Sequence, residues 1–118
     1  MSLEEQTTEL LFSYGTLQRE EVQVYIFGRK LKGTPDVLSG YRIKMIEIRD
    51  EDFVAKNGSA PQRNLEYTGS ALDTIEGTVL ELTRKELEQA DNYEPAEYKR
   101  KLVQLRSNVK AWIYLTTG

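Results

Sequence analysis

Short apolar blocks separated by polar turns run the length of the chain. Leu10-Leu11-Phe12-Ser13-Tyr14 is a compact run of strand formers ended by Gly15, the pattern of a buried strand. Glu20 to Phe27 places two acids in its first turn and apolar residues at Val22, Tyr25 and Ile26, with Gly28 just beyond. That arrangement predicts a short helix stopped by a glycine C-cap. Arg29 to Gly40 carries Gly33, Pro35, Asp36 and Gly40 and is expected to be mostly loop, with one short strand at most. Tyr41 to Arg49, β-branched and aromatic with imperfect alternation, is expected to be a strand. Asp50 to Gly58 has no assignable period. Ser59 to Asp73 is polar, admits a strand around Asn64 to Tyr67, and is long enough to serve as a binding loop or lid.

The second half is more sharply patterned. Ile75 to Leu82 predicts a strand, with Gly77 marking a bulge or a close backbone approach. Thr83-Arg84-Lys85-Glu86 is a capping box flanked by Leu82 and Leu87 at the staple positions. The helix it opens should run from Arg84 to about Tyr93, because Pro95 biases Glu94 away from helical geometry. Tyr98 to Arg106 and Val109 to Leu115 then read as two strands joined by a Ser107-Asn108 turn, with Val109, Ala111, Ile113 and Leu115 on one face. Trp112 and Tyr114 fall on the other face, where they either line a pocket or pack under a helix. Adjacent strands with so short a connection pair antiparallel. The expected architecture is therefore α+β, a mixed, mainly antiparallel sheet with two short helices, and not a purely parallel α/β sheet.

Composition changes this picture in two ways. A chain of 118 residues, 39% hydrophobic and 30% charged, suits one globular domain, here expected at 10–118 after a disordered 1–9. It has no apolar run of membrane-spanning length and no basic-then-apolar leader, so a soluble protein is expected. More telling, there is no cysteine and no histidine. Disulfides, thiolate nucleophiles, Cys/His zinc sites and every mechanism built on a catalytic histidine are excluded. The lack of cysteine fits a reducing cytoplasm, and a net charge of −3 gives no global attraction to nucleic acid or an anionic membrane. A metal-free enzyme made from these residues must take its acid or base from Asp, Glu, Lys or Tyr.

Two places could carry such chemistry. At Tyr14-Gly15-Thr16-Leu17 a glycine at a strand end can bring successive backbone N–H groups to a ligand, where they bind a carboxylate or stabilise an oxyanion. An ordinary strand-ending turn has the same sequence. At the other end of the chain, Leu87, Ala90 and Glu94 share one helix side, so the apolar face points a carboxylate inward at a helix C-terminus. Burial and the macrodipole both disfavour its charged form and raise its pKa, as a general acid/base near neutrality requires. The alternative is a solvated Glu94, or one paired with Lys99 or Arg100. Lys99-Arg100-Lys101 reads as a solvated strand face, and Asp50-Glu51-Asp52 as a turn without cation-loop spacing.

Together these segments resemble the gamma-glutamylcyclotransferase-like family. Leu11-Phe12-Ser13-Tyr14-Gly15-Thr16-Leu17-Gln18 is similar to its N-terminal aromatic strand and Tyr-Gly-Ser/Thr-Leu signature. The strand Ile75 to Leu82, then Asp91-Asn92-Tyr93-Glu94 and Tyr98-Lys99-Arg100, resemble its later motifs in the same order. The resemblance implies a sheet closed partly into a barrel, with a pocket at its mouth, and a lyase- or acyltransferase-type reaction. That reaction converts a gamma-glutamyl amide into 5-oxoproline and a free amine. Glu94 would be the acid/base, Tyr14, Gly15, Thr16, Leu17 and Tyr98 would contact the substrate, and neither metal nor cofactor would be needed. It further implies a small-molecule substrate and a monomer or homodimer. Residues 50–73 match no family pattern, and a non-catalytic binding domain on the same fold is the alternative.

Overall fold

The computed structural model describes residues 8–58 and 60–116. Its strands are β1 (Thr8–Ser13), β2 (Lys32–Ser39), β3 (Tyr41–Ile46), β4 (Gln62–Tyr67), β5 (Thr74–Thr83), β6 (Tyr98–Gln104) and β7 (Lys110–Thr116). The helices are α1 (Glu20–Phe27), α2 (Glu51–Asn57) and α3 (Arg84–Tyr93), with a 3₁₀ turn at Thr16–Gln18. Five strands form one sheet in the order β2-β5-β1-β7-β6, and β3 and β4 form a separate antiparallel hairpin. All pairings in the larger sheet are antiparallel except β1 with β7, which makes the sheet mixed.

The first apolar run shows no clean alternation because β1 is central and buried on both faces. Leu11 points to the helix side, among Leu80, Leu82, Leu87 and Ala90. Phe12 points the other way, into a cluster with Tyr41 and Leu65 of the hairpin and Val79 and Ile113 of the sheet. Strand β7 divides in the same manner: Ala111 and Ile113 face the hairpin, while Trp112 and Tyr114 pack on the helix side. A glycine at position 77 is required by this packing. A Cβ there would stand 2.5 Å from the Ser13 carbonyl oxygen and 2.7 Å from the Phe12 ring.

Curvature brings the ends of the sheet toward each other without closing it. The Arg106 amide in the β6–β7 turn donates to the Val37 carbonyl of edge strand β2 at 2.9 Å, and the Ser107 hydroxyl donates to Asp36. Buried Asn64 docks the hairpin on β7, its side chain donating to the Thr116 hydroxyl (2.7 Å) and accepting from the Thr116 amide (3.0 Å).

Three local expectations change. Residues 29–40, expected to be mostly loop, contain the eight-residue strand β2. Pro35 is tolerated because β2 lies at the sheet edge, where a missing N–H need not break a ladder. Residues 50–58, left without assignment, form helix α2, and the Asp50 carboxylate caps it by accepting from the Asp52 and Phe53 amides. A third short helix thus joins the two expected. Strand β1 begins at Thr8, so the segment expected to be disordered, 1–9, is extended at Thr8 and Glu9, and 1–7 lies outside the described residues. Among the described residues no helix is long and apolar enough to cross a membrane.

Candidate functional site

The end of β1 and the end of α3 meet at a cavity of about 350 Å³. From β1 the chain passes through Tyr14 and Gly15 into the 3₁₀ turn, where the first N–H groups have no partner inside the turn. The turn's own bonds, Gln18 N–H to Gly15 O (3.2 Å) and Arg19 N–H to Thr16 O (3.0 Å), do not use them. Gly15 sits at φ −137°, so it is not needed for a left-handed backbone. A Cβ added there would meet nothing within 4 Å, so the glycine leaves this part of the wall bare. Buried Gln23 on α1 fixes the turn from behind: its side chain donates to the Leu17 carbonyl (2.8 Å) and accepts from the Leu31 amide (2.9 Å).

The opposite wall follows from the capping box. The Thr83 hydroxyl accepts from the Glu86 amide (3.1 Å), and the Glu86 carboxylate accepts from the Thr83 amide (2.9 Å). Glu86 also receives two hydrogen bonds from Arg29, which hold its carboxyl below the usual carboxylate range. With the helix phase so fixed, Leu87 and Ala90 are buried inward and Glu94 follows them on the same side as the C-cap. Its backbone is extended (φ −67°, ψ 148°), with buried Pro95 next in the chain. The Glu94 side chain lines the cavity. Burial first, and the nearby Asp91 carboxylate second, push its pKa up to about 8.

Between the two walls stand tyrosines whose protons are committed to the protein. Tyr14 donates its hydroxyl hydrogen to the Tyr114 carbonyl, and Tyr98 donates to the Arg63 carbonyl. Burial, reinforced by the neighbouring acids, keeps both phenols far from ionisation. Tyr114 donates to Asp91 (2.6 Å), which also accepts from Arg100 Nε (2.6 Å), and the Arg100 guanidinium stacks over Trp112 at 4.6 Å. Arg100 therefore pairs with Asp91 and not with Glu94.

All six residues singled out from the sequence, Tyr14, Gly15, Thr16, Leu17, Glu94 and Tyr98, border this one cavity. Sequence reasoning did not single out the residues of its outer wall, Met45 from β3, Phe53 from α2 and Arg19 beside the turn, whereas Arg63 from β4 comes from the 59–73 stretch expected to be long enough for a binding loop or lid. Arg63 also donates to the Tyr14 carbonyl at 3.2 Å, bridging hairpin and turn. The available signal was Asp50, a capping residue ahead of Phe53 and Val54; nothing in the local sequence aims Met45 or Arg63 inward. Tyr114, left open between pocket and packing, does both.

A curled, mixed sheet with a cavity at one end, lined mainly by apolar and aromatic side chains around a single carboxyl, defines the class of protein. Within that class, the chain belongs to the gamma-glutamyl cyclotransferase, AIG2-like family, whose profile matches residues 11–118. Solved structures share the fold. One named gamma-glutamyl cyclotransferase superposes with a TM-score of 0.78 at 13% identity, covering 95% of this chain and 68% of that one. A solution structure from Arabidopsis thaliana gives 0.75 at 20%, covering 98% and 66%, and a human protein gives 0.71 at 14%, covering 94% and 68%. The chain thus spans about two thirds of the length of these proteins. A search of curated proteins finds none that matches.

Proposed function

We propose that this protein is a cyclotransferase that converts a gamma-glutamyl amine into 5-oxoproline and a free amine, with Glu94 as general acid/base. The observation that carries this reading is a carboxyl of raised pKa facing the bare backbone of the Gly15–Leu17 turn across one cavity. A group poised near 8 can both accept and return a proton around neutral pH, which is the requirement for one residue acting in both directions.

In the proposed reaction the Glu94 carboxylate takes a proton from the substrate's α-amino group. The amine nitrogen then attacks the γ-carbonyl carbon, forming the ring C–N bond. The turn amides hold the substrate carboxylate or stabilise the oxyanion that develops. Glu94 returns this proton, taken from the α-ammonium, to the departing nitrogen as the original amide bond breaks. It then takes the second proton from the ring nitrogen, which attack left positively charged, and passes it to the released amine or to solvent, so charge and protons balance over the cycle. Tyr14 and Tyr98, with their hydrogens already given away, offer lone pairs to the substrate's amino group. These residues need no metal or organic cofactor for the steps assigned to them.

Incubation with a panel of gamma-glutamyl amides, with 5-oxoproline as readout, tests the proposal. Turnover by the native chain and a loss of about 10²–10⁴-fold in Glu94→Gln are expected. Undiminished turnover in that variant removes Glu94 from the mechanism.

A further inference from the structure

We propose that Asp91 is the positioning residue of this site: clamped by Arg100 and Tyr114, it holds the end of α3 so that Glu94 faces the cavity, and it sets a fixed negative charge beside it. The inference rests on Glu94 being the proton carrier of the proposed reaction. Its basis is geometric. Asp91 lies one helical turn before Glu94, on the same side of α3. One oxygen of its carboxyl, Oδ1, receives both the Arg100 Nε–H and the Tyr114 hydroxyl, each at 2.6 Å, from the two strands β6 and β7. Arg100 itself sits over the Trp112 ring. The negative charge is therefore fixed in space and cannot swing away when Glu94 ionises.

The other groups facing Glu94 leave this role to Asp91. Tyr14 just after β1, Tyr98 from β6, Tyr114 from β7 and Tyr93 on α3 itself are all kept neutral by burial. Arg63 of β4 and Arg19 border the cavity, but Arg63 is tied to the Tyr14 carbonyl and Arg19 to Glu21. Glu97 turns to the Arg49 amide. Two negative charges one helical turn apart in a partly dry site repel, so the Asp91 carboxylate stabilises the protonated form of Glu94.

The test follows the Glu94 carboxyl carbon by NMR titration in native protein, Asp91→Asn and Asp91→Glu. Asparagine keeps acceptor geometry toward Arg100 and Tyr114 while deleting the charge. The midpoint should fall by on the order of one pH unit in Asp91→Asn, yet stay above the ordinary carboxylate range because burial remains. Asp91→Glu should keep the native midpoint, and the acid limb of 5-oxoproline formation should shift with the titration. An unchanged midpoint in Asp91→Asn overturns the proposal, whatever the turnover. So does failure of both Asp91→Asn and Asp91→Ser to fold, which would make Asp91 a structural keystone alone. The titration reads the coupling without any substrate, so absence of 5-oxoproline from native protein would sink the cyclotransferase reading and leave this one decidable.

Discussion

Glu94 is the residue on which sequence and structure converge from different directions. Helix phase counted from the capping box aims it inward, and Pro95 ends the helix beneath it. Its proton has a consequence for stability that needs no substrate. In the unfolded chain Glu94 titrates near 4.5, and in the folded protein near 8. Between those values the folded state holds a proton that the unfolded state releases, so the native protein loses stability as pH rises across that window and levels off above it. Glu94→Gln lacks this loss. Its melting temperature relative to native protein should climb from pH 4.5 to 8, and a constant difference over that range would contradict the burial described here. Gln23 makes the contrasting case. No sequence pattern distinguishes it from an exposed helix glutamine, yet it is 3% exposed and satisfies both the Leu17 carbonyl and the Leu31 amide. Gln23→Leu should cost about 1–3 kcal/mol in urea unfolding, the penalty for leaving such buried groups unpaired. An unaffected midpoint would mean the turn is not held from behind.

Elements with strong local signals were the legible ones. The glycine-capped α1, the capping box of α3 and the β6–β7 hairpin are all encoded within a few residues of themselves. Thr83→Ala should therefore lower stability by about 1 kcal/mol, measured by thermal melts, as for other helix N-caps. A neutral result would mean that Arg29, bonded twice to Glu86, holds the helix start unaided. Elements defined by distant partners were not legible. Strand β2 reads as loop because its glycine and proline are breakers by local preference; it becomes a strand through eight residues of pairing with β5, 35 to 49 positions away. Helix α2 is short and depends on Asp50, whose second oxygen accepts from the Ala96 amide across the fold at 2.7 Å. That tie places Phe53 at the cavity beside the Glu94–Pro95 segment, a link between residues 46 positions apart that no local window contains.

For the molecule as a whole, the two apolar clusters share β1, β5 and β7 as a common wall. Disruption of either side of that wall exposes the other, so unfolding should be a single transition. Far-UV circular dichroism and the fluorescence of Trp112, the only tryptophan, should give coincident curves. Separated curves would mean that the hairpin and sheet sides come apart independently. The shared wall also explains the location of the cavity: it opens where β1 leaves the sheet, between the helix side that supplies Glu94 and the hairpin side that supplies Met45 and Arg63. The inner half of the site was legible because the turn and Glu94 carry local signals. The outer half was not, since it is assembled by docking of the hairpin through Asn64. The most direct measurement of the central claim is formation of 5-oxoproline from a panel of gamma-glutamyl amides by native protein and Glu94→Gln side by side. Turnover of at least one amide by the native chain, reduced about 10²–10⁴-fold in the variant, is the predicted result; no turnover of any amide, or equal turnover by both proteins, would contradict it.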